Sequence, residues 1–231
     1  MVKFLYPKVE FCISQCKDMK LDLINNYKFD RKKVKVIFNP VKYEIEKKSK
    51  NYKTKKDNVI LLVGRLVKQK RHDIAIRLFS NILKKFSKYK LIIAGIGVQE
   101  KSLKKLVLKY GITNNVKFLG YKDNLSSLYK KAKVTILTSD YEGFPNTLIE
   151  SITIGTPVVS FDCPFGPREI IKNDINGFLI KNHDEKNFEK KIIQALISKW
   201  DIKKIHRTAS AYKNDLILDK YENFLYKTIK N

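Results

Sequence analysis

Two glutamates, Glu142 and Glu150, flank a Gly-Phe-Pro-Asn turn in LTSDYEGFPNTLIESITIGTPVVSF, residues 137–161. Pro145 suits the first position of a helix, and Gly155 followed by Thr156-Pro157 suits its end, so the spacing predicts a helix over 145–154. Glu142 then lies in the loop before the helix and Glu150 on its second turn. The amides of Phe144, Asn146 and Thr147 point forward at the helix start, a ready place for phosphate. A carboxylate near the strand tip can accept hydrogen bonds from sugar hydroxyls, and one a turn further in can accept the two hydroxyls of a ribose. Two other readings fit the same residues. Glycosidases also pair carboxylates, although theirs flank a cleft from separate elements. A glutamate before a helix can simply complement the dipole, leaving the second one incidental.

Three further loops carry candidate chemistry. In GRLVKQKRHD, residues 64–73, Gly64 lets the chain turn, Arg65 leaves a strand tip and Lys70 stands at a helix start. A diphosphate there would meet a guanidinium, an ammonium and the positive end of a helix together. The plainer reading is two solvated basic side chains among the 48 of this sequence. In AGIGVQE, residues 94–100, Gly95 and Gly97 permit close backbone approach, but a dinucleotide fingerprint needs a third glycine where Glu100 stands. In GYKDN, Gly120 and Tyr121 could lie against a flat base or form an ordinary turn.

These loops follow short apolar runs at 59–63, 91–94, 116–119, 134–138, 157–161 and 177–180, and between several of them the period becomes helical. The clearest stripe is Ile74, Ala75, Leu78, Phe79, Ile82, Leu83 and Phe86; a second is Leu103, Leu106, Val107 and Tyr110. Strands buried on both faces and joined by helices predict an α/β fold, a Rossmann-like, doubly wound parallel sheet with helices on both faces and ligands at the carboxyl ends of its strands. Residues 1–36 read as a short strand and helix that cannot form a core alone, and Asn39-Pro40 marks a break. Three helical segments follow Gly177; the last, 211–229, offers Leu216, Tyr221, Phe224 and Leu225 for packing.

The chain has 231 residues, 43% hydrophobic, which suffices for one large or two small cores. No apolar run approaches the ~18–20 residues of a membrane span, and Lys3, Lys8 and Glu10 interrupt the start too often for a signal peptide; the expectation is a cytoplasmic protein. Three cysteines argue against a disulfide framework, and Cys12 and Cys16 lack the further ligands of a metal site. The net charge of +25 admits nucleic acid, an anionic membrane surface or a coding bias. The lysines are densest over 44–58, without interleaved aromatic platforms, which favours a basic surface resting on acidic lipid, peripheral at the inner face of the membrane, over nucleic acid. The same stretch is expected to be mobile. His72, His183 and His206 read as surface residues.

Taken in order, GRLVKQK, IAGIG and the run from FLGYKDN to NDINGFLI resemble the nucleotide-binding C-terminal domain of retaining glycosyltransferases of GT-B architecture, the group 1 family with a Glu-x7-Glu motif. The resemblance covers roughly residues 36–182. It implies transfer of a hexosyl or N-acetylhexosaminyl residue from a nucleotide-sugar to a glycan or lipid-linked acceptor with retention of configuration. It also implies no cofactor beyond that donor and no metal, in keeping with the absence of an Asp-x-Asp motif. By the same resemblance Arg65 and Lys70 hold the diphosphate, Glu142 meets the donor sugar and Glu150 the ribose. Gly143, Phe144, Pro145, Asn146 and Thr147 form the loop lining sugar and phosphates. DCPFGPREII suggests a UDP-linked donor. The expected organisation is a remnant of an acceptor-side domain over 1–36, a nucleotide-sugar domain over 37–200 and closing helices over 201–231. Most of the N-terminal domain is then missing, and a partner chain supplying it is an expected partner; the alternative is a catalytically silent nucleotide-sugar-binding fragment or subunit of a split glycosyltransferase.

Overall fold

The computed structural model describes residues 8–49 and 55–229. In chain order the elements are β1 (Cys12–Ser14), α1 (Lys17–Tyr27), β2 (Val34–Val36), α2 (Tyr43–Lys48), β3 (Val59–Val63), α3 (His72–Leu83), β4 (Lys90–Ala94), α4 (Glu100–Lys109), β5 (Val116–Phe118), α5 (Ser126–Lys131), β6 (Val134–Leu137), α6 (Asn146–Ile154), β7 (Val158–Asp162), α7 (Pro167–Ile170), β8 (Gly177–Lys181), α8 (Glu185–Ile197), α9 (Ile202–Arg207) and α10 (Asn214–Ile229).

Six strands form one parallel sheet in the order β5-β4-β3-β6-β7-β8. β3 is apolar at every position because both of its faces are covered. Ile60 and Leu62 join a core with Ile74, Leu78 and Ile82 of α3 and Phe188 and Ile192 of α8. Leu61 and Val63 join another with Ile45 of α2, Tyr129 of α5, Leu148, Ile149 and Ile152 of α6, and Ile205 of α9. Each such fully buried aliphatic side chain is worth about 1.5–3 kcal/mol. The alternation along β3 therefore fixes a helix layer on either side. Gly155 ends α6 at φ +84°, where a Cβ would lie 2.3 Å from Ile202 Cγ2; only glycine lets α9 pack so close.

A second sheet holds only β1 and β2, paired in parallel across α1. Leu23, Phe29 and Val34 form its small core, and Cys16 caps α1 by accepting from Met19 N at 3.3 Å. This unit is fastened to the large sheet. Lys17 N donates to Glu169 Oε1 at 2.6 Å, and Phe38 stacks on Phe144 with ring centroids 5.5 Å apart. Cys12, Cys16 and Cys163 are free thiols.

The six strands of the large sheet lie within one residue of their expected bounds. Five expectations need correction. Pro145 is the N-cap of α6 rather than its first residue, because its ψ of 84° is not helical. The expected helix over 211–229 breaks at Lys213, which is extended at ψ 141°, so a short 3-10 turn at Ser210–Tyr212 precedes α10. On α10, Leu216 and Leu225 are exposed, and Ile217 is the buried anchor. His72 is buried, not on the surface, because it lies on the same buried face of α3 as Ile76 and Phe79. The stretch 44–58, expected to be mobile, begins with α2 and closes with Lys56 Nζ bonded to Thr156 Oγ1 at 2.5 Å; residues 50–54 lie outside the described residues. Among the described residues no helix is long and apolar enough to cross a membrane.

Candidate functional site

The chain leaves β3 to one side, through β4 and β5, and returns through β6 to the other side. β3 and β6 are neighbours, so the strand order reverses between them and the loops at their carboxyl ends diverge. A crevice forms there, the usual ligand site of such sheets.

Backbone contacts fix its first wall. Gly64 N donates to Ala94 O at 3.0 Å, Leu66 N to Ile96 O at 2.9 Å and Gly95 N to Gly120 O at 2.8 Å, stitching the loops after β3, β4 and β5 together. The fit depends on Gly95, which sits at φ +146° and whose Cβ would lie 1.9 Å from Gly64 O. Gly97 likewise passes close under Leu66 O. Both glycines therefore serve the approach of one loop to another.

The second wall is the loop 138–145 with the start of α6, clamped to the 68–73 segment. Thr138 Oγ1 donates to the carbonyls of Lys70 and Arg71 at 3.0 and 2.9 Å, Asp140 N to Gln69 O at 2.9 Å, and Arg71 Nη1 to Asp140 Oδ1 at 3.0 Å. Inside this clamp Lys70 Nζ lies 2.6 and 2.7 Å from the two carboxylate oxygens of Glu142, and Ser139 Oγ donates to Oε1 at 2.5 Å. Glu142 is 7% exposed and the Lys70 side chain 15%. The Lys70 stem lies over Gly64, whose Cβ would meet it at 3.6 Å, an ordinary contact.

Between the walls lies a cleft of about 290 Å³. Gly64, Arg65, Gly95, Tyr121, Asn146, Thr147 and Glu150 all border it, so seven of the residues singled out in the sequence come together. Arg65 and Tyr121 are exposed at its rim, while Glu150 is buried at 4% and accepts from Tyr129 Oη at 2.9 Å. Burial raises the Glu150 pKa, and the Tyr129 hydrogen bond and the Lys42 charge pull it back. The amides of Phe144 and Thr147 carry no hydrogen bond among the described residues, whereas that of Asn146, expected to be free, is bonded to Phe144 O at 2.9 Å.

The remaining expected residues are not part of its lining. Lys70 and Glu142 pair with each other. Gly143 O faces Cys16 Sγ, Pro145 O accepts from Leu148 N, and the Phe144 ring packs between Phe38 and Tyr212. Ser139, Tyr129 and Lys42 went unmarked in the sequence. Ser139, three residues before Glu142, was the one with a local signal. Buried His72 is held neutral, its pKa lowered to about 4 by burial and by the Lys70 charge, and its ring nitrogens have no partner among the described residues. No cluster of His, Cys, Asp or Glu among the described residues is arranged to hold a metal ion.

The arrangement can take a polyanion at the Arg65 and Thr147 end and hydroxyls at Glu150. The family model for glycosyl transferases group 1 matches residues 44–214. An uncharacterised glycosyltransferase of Methanocaldococcus jannaschii is 33% identical over 184 residues, 75% of this chain and 45% of that protein. The N-acetylgalactosamine-N,N'-diacetylbacillosaminyl-diphospho-undecaprenol 4-alpha-N-acetylgalactosaminyltransferase of Campylobacter jejuni is 31% identical over 215 residues, 93% of this chain and 56% of that one. The crystal structure of a Staphylococcus aureus TarM mutant in complex with fondaparinux, alpha-GlcNAc-glycerol and UDP matches with a TM-score of 0.80 at 26% identity, over 96% of this chain and 45% of that one. The six-stranded sheet with its two helix layers is the Rossmann-like domain of the GT-B architecture. The chain spans about half the length of the curated relatives it matches.

Proposed function

Because the chain belongs to the group 1 glycosyl transferases, we propose that it binds a nucleotide-sugar, UDP-linked, and transfers its hexosyl or N-acetylhexosaminyl group to a glycan or lipid-linked acceptor with retention of configuration. The observation that carries this reading is the cleft at the switch point, with a cationic rim at Arg65, an amide at Thr147 that is unbonded among the described residues and a buried carboxylate at Glu150.

In this reading the diphosphate lies between the Arg65 guanidinium and the start of α6, where charge-assisted hydrogen bonds and the helix dipole favour a dianion. Glu150, held by Tyr129, accepts the ribose hydroxyls. Tyr121 lies against the base. Lys70 stabilises the charge that builds on the leaving diphosphate, and Glu142, kept in place by Ser139, meets the donor sugar. Gly95 and Gly97 shape the wall, and Gly143, Phe144 and Pro145 set the path of the loop.

The acceptor would be held by a further domain, in the same polypeptide or in a partner chain. The charge of +25 suits a peripheral position on an acidic membrane face, where a lipid-linked acceptor would be presented.

Calorimetric titration with UDP, GDP and ADP, and then with the sugar conjugates of the tightest binder, tests the reading. The expected result is selective binding of UDP over 2′-deoxy-UDP, with Glu150→Ala removing that preference. Failure of every nucleotide to bind would overturn the proposal.

A further inference from the structure

A second cavity, about 340 Å³, opens at the opposite edge of the large sheet, where β6 and β7 begin and the chain enters β3. Its walls carry three lysines, Lys56, Lys133 and Lys199, with Ser198 and Trp200, and no carboxylate. Backbone pairing brings the first two together. Asp57 N donates to Lys131 O and Lys133 N to Val59 O, both at 2.8 Å, so the stretch before β3 runs beside the stretch before β6.

Lys56 is fixed in place: its Nζ donates to Thr156 Oγ1 at 2.5 Å and to Tyr129 O at 3.4 Å, both neutral acceptors. An ammonium has three donors, so these two acceptors leave it able to make a third bond. None of the three lysines is in an ion pair among the described residues. The Lys56 pKa is lowered to about 8, first by burial and then by the charge of Lys133. Converging positive charge in a concave, partly apolar wall concentrates the potential there.

We infer that this cavity binds a phosphate group, as a free anion or as a phosphomonoester or phosphodiester, through Lys56, Lys133 and Lys199 beside Trp200. The site is independent of the nucleotide cleft, which lies at the carboxyl ends of the same strands. One anion neutralises the facing ammonium groups and gives Lys56 the bond its neutral neighbours leave unmade. A soluble phosphate compound and an anionic phospholipid headgroup offer the same chemistry.

Trp200 is the one tryptophan in the sequence, so its emission reports on this cavity directly. Inorganic phosphate is titrated against sodium chloride of matched ionic strength, into wild type, Lys133→Gln, Lys199→Gln and a control, Lys84→Gln with Lys88→Gln, on an exposed surface elsewhere. Thermal unfolding verifies that each variant folds. A parallel arm uses vesicles of phosphatidylglycerol and of phosphatidylcholine. The expected result is a saturable, phosphate-specific change in emission, with a midpoint raised at least about 5-fold in either wall variant and unchanged in the control. A response to phosphatidylglycerol alone, lost in the wall variants, supports the site and identifies the source as a lipid headgroup. A response to free phosphate without one to vesicles supports a soluble ligand. No saturable response to either probe, or equal midpoints in wall and control variants, overturns the inference.

Discussion

Lys70 and Glu142, 72 positions apart in the chain, meet with the ammonium 2.6 and 2.7 Å from the two carboxylate oxygens, one residue following β3 and the other β6. The pair joins the loop after β3 to the loop after β6 and keeps its cation partly occupied. Glu142→Gln removes a negative charge beneath the diphosphate position, so UDP affinity should rise about 3- to 10-fold, while Lys70→Met should lower it about 10-fold. Calorimetry on both variants checks the opposed signs. Equal losses in the two would mean that the pair acts only as a structural unit.

Arg65 should behave differently. It is exposed and in no ion pair among the described residues, so Arg65→Ala should change unfolding free energy by no more than about 0.5 kcal/mol. UDP affinity should nonetheless drop by about 10-fold or more, with uridine affinity unchanged. A matched loss for uridine would remove Arg65 from the diphosphate.

Tyr129→Phe takes from Glu150 the hydroxyl that bonds its Oε2 at 2.9 Å, in a pocket where burial already raises the carboxyl pKa. The expected cost is about 1–3 kcal/mol of stability in chemical denaturation. The double variant Tyr129→Phe with Glu150→Met should recover part of it, because neither side chain then leaves a buried polar group without its partner. Strict additivity would show that the bond is not shared in this way.

His72 sets an acid limit. Its folded pKa of about 4 lies below the ordinary 6.5, so between those values the unfolded chain binds the extra proton and stability falls as pH drops. His72→Phe should therefore lose less melting temperature than wild type between pH 7 and pH 4.5. Parallel melting curves would place the acid sensitivity elsewhere.

Two neighbouring glycines should part company. Gly64→Ala adds a methyl in ordinary contact with Lys70 and should be tolerated. Gly95→Ala drives a Cβ to 1.9 Å from Gly64 O at φ +146° and should cost more than about 2 kcal/mol or abolish folding. Urea midpoints of the two variants decide between these outcomes.

Much of the fold was legible because a parallel sheet buried on both faces writes its strands as unbroken apolar runs, and VILLV at 59–63 is the plainest of them. The helix of Ile74 and Leu78 was equally clear from its stripe. What was not legible depended on three-dimensional partners. Nothing local to Lys213 shows that the chain must straighten there to bring Ile217, rather than Leu216, into the core. His72 looks like any polar residue at a helix start until its burial on the inner face of α3 is seen. At the site, residue types and order pointed to Arg65, Glu142 and Glu150. The direct pairing of Lys70 with Glu142, and of Tyr129 with Glu150, arises from loops far apart in sequence.

The strand order carries a consequence for how the molecule is made. β4 and β5 add to β3 in succession, so half of the large sheet can assemble as the chain emerges. The pairing of Ile60 with Val134 must wait for a much longer loop to close, a slow step in chains of this topology. A nascent chain ending before Val134 has Gly64 and Arg65 in place but lacks α6, and with it the facing wall. A nucleotide held between the two walls, as proposed, would therefore come too late to guide the early assembly, which rests on apolar strand packing.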